Sequence, residues 1–304
     1  MPGIRWGLCC QFLDAPIRFR TATHKYVATL DPAARREYLQ AIARQNAQAL
    51  LDAIERCSEL GIGAFRINSQ ILPLVTHPVT GYRLSDIDED GSILAAFTSA
   101  GERARAAGVR LSFHPDQFVV LNSQHERVVL SSLAEMEAQG AIASLVGADV
   151  LTLHGGGAVG GVAAALDRLE RGIERLDPVA RARVALENDD LSFTPEALLP
   201  LCERLGVPLV YDVHHHRCLP DDMDIATASS RAAATWKDRE PYFHISSPRE
   251  GWEGACRPHA DFVDPRDFPD EWRSMELSLD VEAKAKERAV LALRDAIVPE
   301  SSRA

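Results

Sequence analysis

Short apolar runs, each bounded by polar or turn residues, recur along this chain with room for a helix between successive runs. Runs of this kind are the pattern of strands buried on both faces. Eight can be placed, at 4–10, 64–69, 109–114, 149–154, 183–188, 207–213, 241–246 and 276–281. The intervening stretches carry apolar residues near helical spacing. Leu39, Ile42, Leu50, Ile54, Cys57 and Leu60 do so in 33–60, and Val162, Leu166, Leu169, Ile173 and Leu176 in 160–176. Asp31-Pro32 and Thr194-Pro195 read as helix starts, a capping side chain followed by proline at the first helical position. Gly61, Gly108 and Gly206 each stand between a helix and the next strand, where a left-handed C-cap is needed. Helix, glycine, strand, repeated, predicts a parallel α/β fold. Eight units without a long unassigned block predict one closed TIM (β/α)8 barrel, a single domain over 1–304 with its core at about 4–296.

Six of the runs end in a residue able to bind a metal. They are Arg110-Leu-Ser-Phe-His114, Val150-Leu-Thr-Leu-His154, Arg183-Val-Ala-Leu-Glu187, Pro208-Leu-Val-Tyr-Asp212, Pro241-Tyr-Phe-His244 and Glu276-Leu-Ser-Leu-Asp-Val-Glu282. One such ending is ordinary. Six at successive strand ends predict a ring of ligands at the C-terminal face of the barrel, and hence a metalloenzyme. A mixed His/Asp/Glu set suits zinc, manganese or iron and a site with more than one ion. Two connections are longer than a barrel needs, 70–90 and 247–273. Both follow strand C-termini, so both are expected over that same face.

Composition narrows the class. Hydrophobic residues make up 46% and charged residues 25%, as in a soluble globular protein. No apolar stretch approaches the roughly 20 residues of a membrane helix, and the N-terminus lacks the layout of a signal peptide. The six cysteines form no C-x-x-C pair and suggest reduced thiols, hence a cytoplasmic location. The net charge of −11 argues against a protein that coats nucleic acid through bulk charge. It leaves open a DNA enzyme whose carboxylates are neutralised by bound cations.

At these residues the chain resembles the UV damage endonuclease family, which shares its barrel with the endonuclease IV type of abasic-site nuclease. The resemblance covers roughly residues 4–296. Its most specific stretch is Ser112-Phe-His-Pro-Asp-Gln-Phe-Val-Val-Leu-Asn-Ser123. Further pieces are Arg66-Ile-Asn-Ser69, Pro73-Leu-Val-Thr-His77, Leu153-His-Gly-Gly-Gly157, Leu186-Glu-Asn-Asp189, Tyr211-Asp-Val-His-His215, His244-Ile-Ser-Ser-Pro248 and Glu282-Ala-Lys-Ala-Lys-Glu287. The resemblance implies two or three divalent ions, Mn²⁺ in the first place, with Zn²⁺ or Mg²⁺ as alternatives. One ion would be held by His114, His154 and Glu187. A second would share Glu187 and add Asp212, His244 and Glu282, and a third would use His215 and His259. Glu187, Asp212 and Glu282 would be the catalytic carboxylates. The implied activity is hydrolysis of the backbone of damaged double-stranded DNA immediately 5′ to the lesion, leaving a 3′ hydroxyl and a 5′ phosphate, by a monomer. Gln117 and Phe118 match a pair that inserts at the lesion. The alternative for Phe118 is that it merely starts a buried run with Val119, Val120 and Leu121. His77 and Asn122 are expected to face the site, and Arg18, Arg20, Lys25, Lys284 and Lys286 are candidate phosphate contacts.

Three positions depart from the family pattern. Tyr242 stands where a lysine is common two residues before His244. Leu8 replaces a tyrosine of the lesion probe, and Phe12 an asparagine. Two rival readings follow: a divalent-metal-dependent sugar isomerase or epimerase on the same barrel, and a non-catalytic metal- or DNA-binding relative. The first predicts one ion in a small closed pocket.

Overall fold

A computed structural model describes residues 3–298 of the chain. Its strands are β1 (Ile4–Cys9), β2 (Ala64–Ile67), β3 (Arg110–Phe113), β4 (Val150–His154), β5 (Val184–Glu187), β6 (Leu209–Asp212), β7 (Tyr242–Ile245) and β8 (Leu277–Val281). They close into one barrel in sequence order, each neighbour parallel, with β8 pairing β1. Most are shorter than the apolar runs that predicted them, because ladder pairing stops where the chain turns into its loops.

The helix signals act as local chemistry requires. The Asp31 carboxylate accepts from the Ala33 and Ala34 amides at the start of the helix Pro32–Leu60. Thr194 caps Pro195–Leu205 through the Ala197 amide. Gly61, Gly108 and Gly206 have φ of +66°, +68° and +65°, the left-handed region that glycine adopts without cost.

Alternation along each strand divides the interior in two. Phe65, Leu111, Phe113, Leu151, Leu153, Leu186, Leu209, Tyr211, Phe243 and Leu279 belong to the large core between sheet and helices. Ala64, Val150, Ala185, Val210 and Tyr242 form a second, small cluster inside the barrel. Residues two further along the same strands therefore also point inward, and these include the strand-end ligands. Below the small cluster the barrel floor is charged. Arg110 grips Asp149 through Nε and Nη2 at 3.0 and 2.8 Å and also donates to the Ser278 hydroxyl, while Arg5 pairs with Glu240 at 2.9 and 3.0 Å.

The two long loops follow β2 and β7, on the ligand side. The second carries two 3-10 turns, Pro265–Asp267 and Asp270–Ser274, and an antiparallel bridge between Pro248 and His259. Its fold is pinned by Asp267, which accepts from the Trp252 indole at 2.8 Å and from the Ser247 hydroxyl. Among the described residues no helix is long and apolar enough to cross a membrane.

Candidate metal centre

Glu187, at the end of β5, is the hub of the strand-end residues. Its Oε2 lies 2.8 Å from His114 Nε2 and 3.6 Å from His154 Nε2. Its Oε1 lies 3.1 Å from His244 Nδ1 and 3.4 Å from His215 Nδ1. Glu282 continues the cluster, with Oε1 3.5 Å from His244 Nδ1 and Oε2 3.7 Å from His259 Nδ1. Asp212 Oδ2 is 3.6 Å from His215 Nδ1. All eight residues expected to bind metal thus meet at one end of the barrel. Two triads hold their ligand atoms within 4.8 Å of one another: His114 with Glu187 and His244, and Glu187 with Asp212 and His215. His244 thus lies within reach of His114 as well as of Glu282, and His215 lies beside Asp212, its ring centre 6.4 Å from that of His259.

A local feature explains the position of His215. Residues Val213–Cys218 form a short helix directly after β6, capped by Asp212, whose Oδ1 accepts from the His215 amide at 2.8 Å. Helical rotation turns His216 away from Glu187 and sets the His214 ring beside His259, ring centres 5.1 Å apart. His216 bonds the Tyr211 hydroxyl at 2.7 Å and Asp221 at 2.9 Å, and His214 Nε2 lies 3.7 Å from Cys218 Sγ.

The electrostatics are those of a crowded acidic site. Burial pushes the Glu187 carboxyl up, but His154, His244 and His114 outweigh it and hold the group well below its ordinary value. Burial lowers His244, yet Glu187 and Glu282 raise it to about 9. His215 is likewise raised well above the ordinary imidazole value against its burial, by Asp212 and Glu187. His154 is lowered, chiefly by burial. Arg66 lies against two of the site's carboxylates, 3.7 Å from Asp280 Oδ2 and 2.5 Å from Glu282 Oε1. Asp212 Oδ2 and His154 Nδ1 are buried without a hydrogen-bond partner. Imidazole nitrogens and carboxylate oxygens at this density, with unused acceptors, fit divalent cations such as Mn²⁺ or Zn²⁺.

Beside the cluster opens a cavity of about 560 Å³, lined by Cys10, Arg66, His114, Gln117, Phe118 and Glu282 among others. Phe118 stands at its edge with 79% of its surface exposed, whereas Val119 and Leu121 are buried, so Phe118 does not belong to the apolar run that follows it. Asn122 is buried and donates to the Gly157 carbonyl at 2.8 Å, tying it to the loop after β4. His77 stacks on His24, ring centres 4.1 Å apart, in the neighbouring cavity. Arg18, an exposed residue, donates through Nη1 to the Phe12, Ala15 and Ile17 carbonyls, and Arg20 through Nη1 to Gln45, while Lys25 and Lys284 are exposed. Leu8 and Phe12 are core residues, Phe12 stacking on Phe65 at 6.0 Å. Tyr242 is buried as well, and burial drives its phenol pKa well up, so it is a neutral donor and not a phenolate ligand.

The model of the family UV-endonuclease UvdE matches residues 4–301. The chain belongs to this family. A UV DNA damage endonuclease of Deinococcus radiodurans is 35% identical over 303 residues, covering 95% of this chain and 94% of the relative. Among solved structures, SacUVDE superposes with a TM-score of 0.85 at 26% identity, covering 96% of each chain. Endonuclease IV of Thermus thermophilus has the same fold, with a TM-score of 0.60 at 16% identity over 82% of this chain and 94% of its own. The sequence reading singled out Tyr242, two residues before His244, but did not place Arg66 or Asp280 around the candidate ligands. For Asp280 a signal exists in strand parity: it precedes Glu282 by two residues, so it shares its side of the strand.

Proposed function

We propose that this chain is a divalent-cation-dependent DNA repair endonuclease that incises the backbone 5′ to UV-induced or other base lesions, leaving a 3′ hydroxyl and a 5′ phosphate. It would act as a single-domain monomer on damaged duplex. The observation that carries the reading is the convergence of four histidines on Glu187 at the C-terminal rim, with Asp212 beside His215 and Glu282 beside His244 and His259. Bound there, divalent cations, with Mn²⁺ the first candidate, would activate water and neutralise charge on a phosphodiester.

The residues supply the rest. Each oxygen of Glu187 faces a different pair of histidines, the arrangement expected of a bridging carboxylate. Asp212 and Glu282 add anionic donors on either side of it. Arg66 holds Glu282 in place and supplies a fixed positive charge near the cavity. Phe118 and Gln117, exposed at the edge, would enter the duplex where a damaged pair is weakly stacked, because a distorted step costs least to open. With an acidic body, binding to undamaged duplex would be weak and steeply salt-dependent.

The test is nicking of supercoiled plasmid with and without UV irradiation, in Mn²⁺ and in EDTA. Ends made on a defined oligonucleotide should be extended by polymerase and should carry a phosphate at the 5′ side. Failure to prefer irradiated DNA, with turnover of a keto- or aldo-sugar instead, would put the chain among the sugar epimerases that share this barrel.

A further inference from the structure

Directly beneath the ligand layer lies a second inward layer contributed by the same strands. Tyr242 precedes His244 by two residues on β7, and Asp280 precedes Glu282 by two at β8. The Tyr242 hydroxyl is 2.9 Å from Asp280 Oδ1 and 3.1 Å from the Ser112 hydroxyl of β3, all of them buried. The other oxygen, Asp280 Oδ2, makes no hydrogen bond. It lies 3.8 Å from His244 Nε2 and 3.7 Å from Arg66 Nε, both of which are also buried without a hydrogen-bond partner. Gly7 is the reason the carboxylate fits, since a Cβ there would collide with Asp280 Oδ1.

His244 has one orientation available for binding a cation. Its Nδ1 faces Glu187 and Glu282, and a neutral ring that uses the Nδ1 lone pair must carry its proton on Nε2. That N–H is buried against Asp280. We propose that Asp280, fixed by the Tyr242 hydroxyl, is the positioning carboxylate of the metal ligand His244, taking its Nε2–H and so selecting the tautomer and ring plane that present Nδ1. A movement of about 0.8 Å, or one water, brings the pair to ordinary hydrogen-bond length. Metal-bound histidines regularly lean on such a partner. In this chain Tyr242 is thus a support of the metal site from below, not a substitute ligand within it.

The inference rests on the cation-binding reading of the cluster. Mn²⁺ is titrated into metal-free wild type, Asp280→Asn and Tyr242→Phe, and free Mn²⁺ is read by its EPR signal, with melting curves of the metal-free proteins alongside. Asp280→Asn should weaken Mn²⁺ binding about 10- to 100-fold, and Tyr242→Phe roughly three- to tenfold. The Co²⁺ absorption spectrum of each variant should shift as the His244 ring loses its orientation. A merely structural layer would lower melting temperatures yet leave affinity and the Co²⁺ spectrum at wild-type values, and that result overturns the proposal. Should Asp280→Asn not fold, Tyr242→Phe decides alone, because removing one hydroxyl keeps the ring packing. Wild type that takes up no Mn²⁺ would instead refute the cation-binding reading itself, and the positioning role with it.

Discussion

The two ends of the barrel handle charge in opposite ways. At the floor, Arg5 pairs with Glu240, Arg110 with Asp149, and Arg239 joins Asp149 at 3.3 Å; Ser278 donates to Glu240 at 2.6 Å. Each of these three arginines has an anion, and Arg110 also lies over the Trp236 and Tyr242 rings, 5.5 and 5.0 Å from their centres. At the rim, Arg66 lies against Asp280 and Glu282, and Asp212, Asp280, His154, His244 and Arg66 each keep a buried polar atom without a hydrogen bond. Both ends are polar, the floor half-buried and the rim more deeply so. The floor is complete by itself; the rim keeps the unused donors and acceptors of a candidate cation site. A buried charge cluster that stabilises must satisfy its members, whereas one that binds keeps donors in reserve.

That contrast can be broken most decisively at Glu187. Glu187→Gln removes the shared carboxylate and should cut incision of irradiated plasmid by about 10³-fold or more, the scale of losing an essential electrostatic group. Elemental analysis should show fewer bound ions, while the metal-free fold survives by circular dichroism. Retained activity with full metal content would remove Glu187 from the centre of the site.

A floor substitution should do the reverse. Arg110→Ala strips Asp149 and Ser278 of a partner, and urea denaturation should show a loss of about 2–3 kcal/mol, at the low end for a broken buried pair because the Asp149 side chain keeps 44% of its exposure. Mn²⁺ affinity should stay within a few-fold of wild type. Loss of metal binding without loss of stability would erase the distinction between the two ends.

The pH response sharpens it further. In metal-free protein the folded-state pKa of His244 lies near 9 and that of His215 is also raised, against about 6.5 for an unfolded imidazole. Protonation therefore favours the fold. This stabilisation is complete below about pH 6.5 and is lost as pH rises through about 9. In EDTA the melting temperature should fall across that interval. With Mn²⁺ present it should hold or rise, because cation binding needs those imidazoles deprotonated. Parallel curves with and without Mn²⁺ would show that the histidines take no part in binding.

The smallest expected effect on stability is at Phe118. With its ring so exposed, Phe118→Ala should change unfolding free energy by less than about 0.5 kcal/mol. It should nonetheless lower the preference for irradiated over intact duplex several-fold in competition binding. An unchanged preference would take Phe118 out of lesion recognition.

Much of this molecule follows from short-range features of the chain. Period-two and helical apolar patterns, the proline and aspartate starts and the glycine stops are local properties, so all eight strands and the closed barrel are legible in the amino-acid sequence alone. Six of the eight candidate ligands are legible for a related reason: a residue at the C-terminal end of a barrel strand points to one place whatever its neighbours are, so position within the strand is enough. His215, on the helix after β6, and His259, in the loop after β7, are indicated only by the family resemblance. What surrounds them is not legible in that way. Arg66 meets Glu282 across 216 residues of chain, and Tyr242 meets Asp280 across 38, through a register that no single strand encodes. The helix that follows Asp212 turns His215 toward Glu187, and the loop geometry buries Asn122 and carries His77 to another cavity. The Phe118 ring is equally ambiguous until packing chooses between core and surface. Strand ends and their chemistry are written locally; which groups are paired, which are left in reserve, and which face outward are decided only when the barrel closes.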